Sequence, residues 1–272
     1  MHPSSGADLG EQAADLERRF GGLRRLYGDA GYARIRAAHV VVVGVGGVGS
    51  WAVEALARSG VAGLTLIDLD HVSESNINRQ VQALGATLGQ AKTDALQRRI
   101  ADIHPGCKVT AIEEFVDQAN WPGLLNTPVS AVIDACDQVR AKAVLAAWAV
   151  AAGTPLVAVG AAGGKQRAQA VDVADLAEVT HDPLLAALRQ RLRQHHHGAR
   201  KGTMGVRCVF SREAVTSPDE ACEVDGSLNC HGYGSSVSVT ATFGMVAAGE
   251  VLALLATMSE SGEPAQRIRR QI

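Results

Sequence analysis

No two of the five cysteines, Cys107, Cys136, Cys208, Cys222 and Cys230, form a C-x-x-C pair. A zinc site of paired knuckles is therefore not indicated. The count is odd and the chain runs to 272 residues, which argues against a small secreted disulfide framework. Net charge is also nearly absent, at a formal -2. No global basic field marks a nucleic-acid binder, so any RNA contact must come from a local patch. The first twenty residues hold no apolar run, and no signal peptide is read there. No internal repeat is found. What remains is a cytosolic globular chain with 47% hydrophobic residues, enough for a sizeable core.

One stretch tests that reading. Val237 to Met258 is long enough to span a bilayer. Glu250 lies inside it, and Gly244, Gly249 and several Ser and Thr dilute it. A charge at mid-span costs about 3 kcal/mol. On these grounds we read a packed core or interface helix in preference to a membrane span.

Along the chain, Leu9 to Ala37 reads as helical, with Leu16, Phe20, Leu23 and Leu26 at helix-like spacing. Val40 to Val43 is a strand, followed by a helix that buries Trp51, Ala55 and Leu56, then by the strand LTLIDLD. A helix follows at GQAKTDALQRRIADIHP. Strands at KVTAI, SAVIDA and PLVAVGAA alternate with helical stretches at Asp117 to Leu125 and Val139 to Ala152. Such alternation predicts an α/β, Rossmann-like, mostly parallel sheet with helices on both faces. After Gly164, QRAQAVDVADLAEV reads as strands and turns, Asp182 to Gln194 as a helix, VRCVFS as a strand and DGSLNCHGYGSSVS as a loop. The expected organisation is an N-terminal helical segment (1–38), a nucleotide-binding core (39–164) and a C-terminal extension packed on the same domain (165–272).

Three constellations carry chemistry. GVGGVG follows the first strand. Gly44 suits the tight turn, Gly46 lets backbone approach phosphates, and Gly49 lets helix and strand pack closely. Asp68 ends the second strand, where a carboxylate can accept from ribose hydroxyls. That unit suits NAD or ATP equally. The loop SESNINRQ then places Asn76, Arg79 and Gln80 beyond the sheet's C-terminal edge, where ligands of open α/β sheets bind. Lys92, in GQAK, offers a second cation. Two cations suit a triphosphate better than a dinucleotide. In VIDACD, Asp137 could hold Mg²⁺ with phosphate oxygens or simply cap the following helix.

Together, GVGGVG, LTLIDLDHVSESNINRQ, LGQAK and VIDACD resemble the ubiquitin-activating-enzyme-like adenylyltransferases over about Val40 to Gly160. The resemblance implies their adenylation fold and an ATP site. It assigns Gly44, Gly46, Gly47 and Gly49 to the nucleotide loop and Asp68 to the ribose. Asn76, Arg79, Gln80 and Lys92 fall on the phosphates, and Asp137 on Mg²⁺ and ATP.

Within that group, RFGGLRRLYG, DPLLAALRQRL, VRCVFSREAV and SVTATFG resemble the tRNA threonylcarbamoyladenosine dehydratases, so the likeness spans nearly the whole chain. It implies ATP-driven cyclisation of a threonylcarbamoyl-adenosine in modified tRNA, through carboxylate adenylation, by a homodimer. It also suggests a monovalent cation (K⁺ or Na⁺) and a cysteine-desulfurase or sulfur-acceptor partner. Relatives supply an arginine from the partner subunit. Gly22 stands at that place here, leaving Arg25, then Arg19, as substitutes or as plain helix-surface charges. Cys230 matches a family cysteine by position, as a sulfur-bearing group or a small buried residue. The basic run Arg189, Arg191, Arg193, His195 to His197, Arg200 and Lys201 reads as a tRNA-phosphate contact or a solvated helix end. The main alternative activity is adenylation of a ubiquitin-like sulfur carrier. An NAD(P)-dependent oxidoreductase and a non-catalytic scaffold are further alternatives, and the missing C-x-x-C weighs against the sulfur-carrier enzyme.

Overall fold

The β-branched run HVVVV forms β1 (His39–Val43) at the centre of a seven-stranded sheet. Its computed structural model describes residues 14–216 and 233–258. The strand order is β3 (Lys108–Ile112), β2 (Gly63–Ile67), β1, β4 (Ala131–Asp134), β5 (Leu156–Val159), β7 (Arg207–Ser211), β6 (Val171–Asp175). All pairs are parallel except β6 with β7. The chain thus grows outward from β1 through β2 to β3, then returns to the other side of β1 for β4. The carboxyl ends of β1 and β4 flank that reversal, where open α/β sheets bind ligands.

Residue alternation sets the two faces. Val40 and Val42 point into one core, shared with α3 (Gly49–Arg58), α4 (Lys92–Ile103) and α7 (Val237–Thr257). Val41 and Val43 point into the other, under α5 (Val139–Ala152) and α6 (Pro183–His195). Central strands covered on both sides read as continuous apolar runs. The segment after residue 164 contributes β6 and β7 to the same sheet.

Helix α7 is long and apolar enough to cross a bilayer by length and composition. Here it packs on α3 and across the sheet, burying Val239, Phe243, Ala247 and Val251. Its interior charge, Glu250, pairs with Arg207 of β7.

Three local expectations change. The N-terminal helix divides into α1 (Leu16–Phe20) and α2 (Gly22–Ala37), and Gly28 breaks α2 at φ 71. Leu26 is 71% exposed while Phe20, Tyr32 and Ile35 are buried; six residues of helix turn Leu26 well away from the face of Phe20. On α3 the deepest residues are Ala52, Val53, Leu56 and Ala57, while Trp51 and Ala55 are half-buried. Trp51 sits at the rim because its Nε1 donates to the Arg79 carbonyl at 2.9 Å. Asp117 to Leu125 forms turns, not a helix. Asp117 Oδ1 accepts from the Ala119 and Asn120 amides, and Asn120 Oδ1 accepts from the Asp117 amide. Such side-chain bonds compete with helix, and Pro122 cannot donate at all.

Candidate active site

A cavity of about 910 Å³ runs across the carboxyl ends of the strands. Gly44, Gly46, Gly47, Asp68, Arg79, Gln80, Lys92 and Asp137 all line it. Gly49 opens α3 directly behind the turn.

The glycine turn is required by its surroundings. Gly44 has φ +80, and a β-carbon there would lie 2.8–2.9 Å from backbone of Ala135 and Cys136. Only glycine tolerates both the conformation and the approach. Asp68 is pinned beside it: Oδ2 accepts from the Val45 amide at 2.7 Å and Oδ1 from the Asp70 amide at 2.9 Å. The carboxylate braces the turn while facing the cavity.

Lys92 is 4% exposed, and its Nζ meets Asp70 Oδ2 at 2.7 Å. Its backbone amide also donates to the Asp70 carbonyl. Asp70 is the residue the motif reading missed, although it sits two positions beyond Asp68 in the same acidic strand end. Gln80 is buried and receives a bond from Gln82, whose Nε2 also donates to the Val45 carbonyl. Arg79 Nη1 donates to the Ser75 carbonyl and to Asn78 Oδ1. The Arg79 carbonyl accepts from Trp51 and from Thr240 of α7. Asn76 lies behind the loop, off the cavity wall, where its Oδ1 accepts from the Ser73 amide and closes a turn.

Asp137 occupies the short loop between β4 and α5. Gln138, not Asp137, stands at the cap of α5, so the capping explanation does not apply. Burial raises the Asp137 pKa, and the Asp70 and Asp68 charges add to that, against an opposing effect of Lys142. A carboxylate crowded by two others favours a nearby cation. Among the described residues no three His, Cys, Asp or Glu side chains converge on one point. The donor set fits an ion such as Mg²⁺, which takes one or two carboxylates and completes its shell with water and phosphate oxygens.

Beneath this loop lies a charge pair that no motif announces. Lys142 and Asp134 are both fully buried, 3.1 Å apart, and Lys142 also donates to the Asp134 carbonyl. Burial alone would depress the Lys142 ammonium, but the adjacent Asp134 carboxylate outweighs it and raises the pKa. Cys136 Sγ donates to Asp134 Oδ1 at 3.0 Å. Burial, then the Asp134 charge, push that thiol far above its ordinary range. Cys136 therefore stays protonated and unreactive.

The other half of the cavity is apolar. It is lined by Gly160 to Gly163, Pro183, Leu184, Ala187, Val215 and Tyr233. Asp182 joins its parts: Oδ1 caps α6 through the Leu185 amide and Oδ2 accepts from the Ala161 amide, both at 2.9 Å. A β-carbon at Gly160 would collide with that same Oδ2.

The remaining candidates lie elsewhere. Arg25 is exposed on α2 and lines no part of the cavity. Arg19 donates to the Asp102 and Ile103 carbonyls at the end of α4. In the basic run, Arg189 bonds the Leu176 and Val179 carbonyls and Arg193 the Ala199 carbonyl. These two cations serve local structure, and among the described residues Arg191, Arg200 and Lys201 make no such bonds to backbone carbonyls. Cys230 and most of the loop around it lie outside the described residues.

Comparison with known proteins agrees with this geometry. The chain is 43% identical to the tRNA threonylcarbamoyladenosine dehydratase of Escherichia coli (strain K12) over 247 residues, 86% of this chain and 92% of that one. A crystal structure of E. coli tRNA N6-threonylcarbamoyladenosine dehydratase, TcdA, in complex with ATP matches with a TM-score of 0.81 at 43% identity. The match covers 89% of this chain and 96% of that chain. Similarity to the molybdopterin-synthase adenylyltransferase of the same species is 36% over 127 residues, 47% of this chain and 51% of that one. The family profile described as ThiF family matches residues 21–270. This chain, with its glycine turn after β1 and its acid and base motifs in order around one cavity, belongs to the ThiF family.

Proposed function

We propose that this protein uses ATP to dehydrate N6-threonylcarbamoyladenosine in tRNA to the cyclic form. The observation that carries the reading is the single cavity shared by Asp68, Arg79, Gln80, Lys92 and Asp137. The extent of the sequence likeness supports the dehydratase over a sulfur-carrier adenylyltransferase. The likeness runs through 92% of the dehydratase but only 51% of the adenylyltransferase.

A free carboxylate is a poor acyl donor because oxide or hydroxide is a poor leaving group. One substrate carboxylate oxygen attacks the α-phosphorus of ATP, and pyrophosphate departs. A nucleophilic atom of the same substrate then attacks the activated acyl carbon and closes the ring. AMP leaves with the original carboxylate oxygen, so the net change is loss of one water. No enzyme nucleophile is needed, which agrees with the protonated Cys136.

The protein's task is to bring two anions together and stabilise the departing pyrophosphate. Asp68 accepts from the ribose, and Phe115 and Val116 wall the adenine. The glycine turn and the α3 N-terminus receive phosphate oxygens. Lys92 and Arg79 neutralise the leaving group, with Gln80 beside them. Asp137 would hold Mg²⁺, which supplies charge screening between the carboxylate and the phosphates. Residues 39–164 form the adenylation core in this reading, flanked by 1–38 and 165–272. A cytoplasmic homodimer, in which Arg25 reaches the partner's site, follows from the resemblance alone. So do a monovalent cation and a cysteine-desulfurase partner.

The test is mass analysis of tRNA nucleosides after incubation with enzyme and ATP. Loss of one water from the threonylcarbamoyl nucleoside, with AMP formed in step, is expected. ATP turnover that requires a carrier protein ending in Gly-Gly would overturn the reading.

A further inference from the structure

The cavity has two chemically different ends, and the sheet order says which reactant belongs to each. Asp68 follows β2 and Phe115 follows β3, so ribose and adenine lie on that side of the glycine turn. The phosphates sit at the turn after β1. The second reactant must then approach the α-phosphate from the opposite side, over β4, β5 and β7. That side is the apolar end described above.

We infer that this end is the binding subsite for the modified base of the tRNA, with Tyr233 stacking on its face. The inference rests on the adenylation reading above. Three observations carry it. The first is continuity: the apolar end opens into the same cavity as Lys92 and Asp137. The second is construction. The Gly164 amide donates to the Tyr233 and Gly234 carbonyls at 3.2 and 3.0 Å, and the Gly164 carbonyl accepts from the Thr216 amide at 2.9 Å. Lys165, 3% exposed, donates from Nζ to the His181 carbonyl at 3.0 Å and to the Glu213 carbonyl. These bonds and the Asp182 staple fix three distant segments around one space.

The third observation is chemical. Leu184, Ala187 and Val215 are half-buried and uncharged, and Tyr233 is the half-buried aromatic among them. Among the described residues a phosphate would find no cation on these walls. The uncharged purine ring of the modified base would find a slot and a ring, with its carboxylate directed to the charged end. Bases in single-stranded loops are commonly recognised by such stacking, and enzymes acting on a base take it out of the stack.

The experiment measures cyclisation of threonylcarbamoyl-modified tRNA by the full-length enzyme, together with binding of a fluorescent ATP analogue. Tyr233→Ala should raise KM for tRNA about tenfold or more and leave nucleotide affinity unchanged. Tyr233→Phe should restore the wild-type KM, because the ring and not the hydroxyl does the stacking. Ala187→Trp, which fills the slot from α6, should also raise KM for tRNA without weakening nucleotide binding. Melting curves establish that each variant is folded, and Ala187→Trp decides the matter if Tyr233→Ala is not. An active wild type whose folded variants keep their tRNA KM overturns the subsite. So does a loss of nucleotide affinity matching the loss for tRNA, or a Phe variant no better than Ala. A wild type that forms no cyclic nucleoside overturns the adenylation reading instead. A requirement for a Gly-Gly peptide would give this slot to a polypeptide tail and overturn both.

Discussion

At the β3–β2–β1 end of the cavity, charged and strongly polar groups stand beside Phe115 and Val116, and Asp68, Gln80 and Arg79 each have a support close in sequence alongside longer reaches from Val45, Trp51 and Thr240. Asp68 bonds the amide of Asp70, Gln80 meets Gln82, and Arg79 bonds Ser75 and Asn78. At the β4–β5–β7 end the walls are apolar and their supports come from far away. Asp182 fastens Ala161, Gly164 fastens Tyr233, and Lys165 fastens Glu213. A polyanionic nucleotide needs fixed charges, which short motifs supply. A neutral base needs shape, which only the assembled fold supplies.

The seam between the two ends should be the most sensitive place. Lys142→Met leaves a fully buried Asp134 carboxylate without its partner. Removing one member of such a pair costs about 3–5 kcal/mol. A chemical-denaturation midpoint should fall accordingly, and Asp134→Asn added to Lys142→Met should recover part of it. Equal stability in single and double variants would show that the pair is not coupled. Next comes Lys92→Ala, which should break the charged end alone. Adenylation should drop about 10²–10³-fold, in line with loss of one donor aimed at developing charge, with the melting temperature nearly unchanged. Asp182→Ala should break the apolar end alone. It removes a helix cap and a second acceptor, costing about 2 kcal/mol, and should affect KM for tRNA more than KM for ATP.

The smallest effect concerns pH. Burial, with help from Asp70 and Asp68, raises the Asp137 pKa above its ordinary 3.8. As pH falls through that raised value the carboxylate gains a proton and loses its hold on a cation. At low Mg²⁺ the acid limb of kcat/KM should therefore lie above the usual aspartate range and move down as Mg²⁺ rises, a dependence that should disappear in Asp137→Asn. A limb unchanged by that substitution would assign it to another group.

The same division explains what could be read from the sequence. The gathering of the glycine turn, Asp68, Arg79, Lys92 and Asp137 around one cavity was legible because each travels with a local frame: a strand end, a tight turn or a helix start. The parallel sheet was legible because buried strands read as apolar runs. The misreadings arose where one residue changes the local rule. Gly28 breaks the presumed single helix, and Asp117 and Asn120 turn another into loops. Lys142 and Asp182 looked like ordinary helix residues. Nothing local marks a lysine that will be fully buried against an aspartate, or an aspartate that will bond a strand end twenty-one residues earlier. Gly160 acquires its meaning only when Asp182 is brought against it.

Thr240 of α7 and Trp51 of α3 both donate to the carbonyl of Arg79. Arg79, which lines the cavity, is thus held in part by a helix 161 positions downstream. A fragment stopping at residue 164 would contain every recognisable nucleotide motif, yet it would lack this clamp as well as two strands. Such a fragment is not a minimal enzyme to which new specificities can be attached. In this protein, exchanging the acceptor-side half for another would also alter the grip on ATP, so the two halves must be redesigned together.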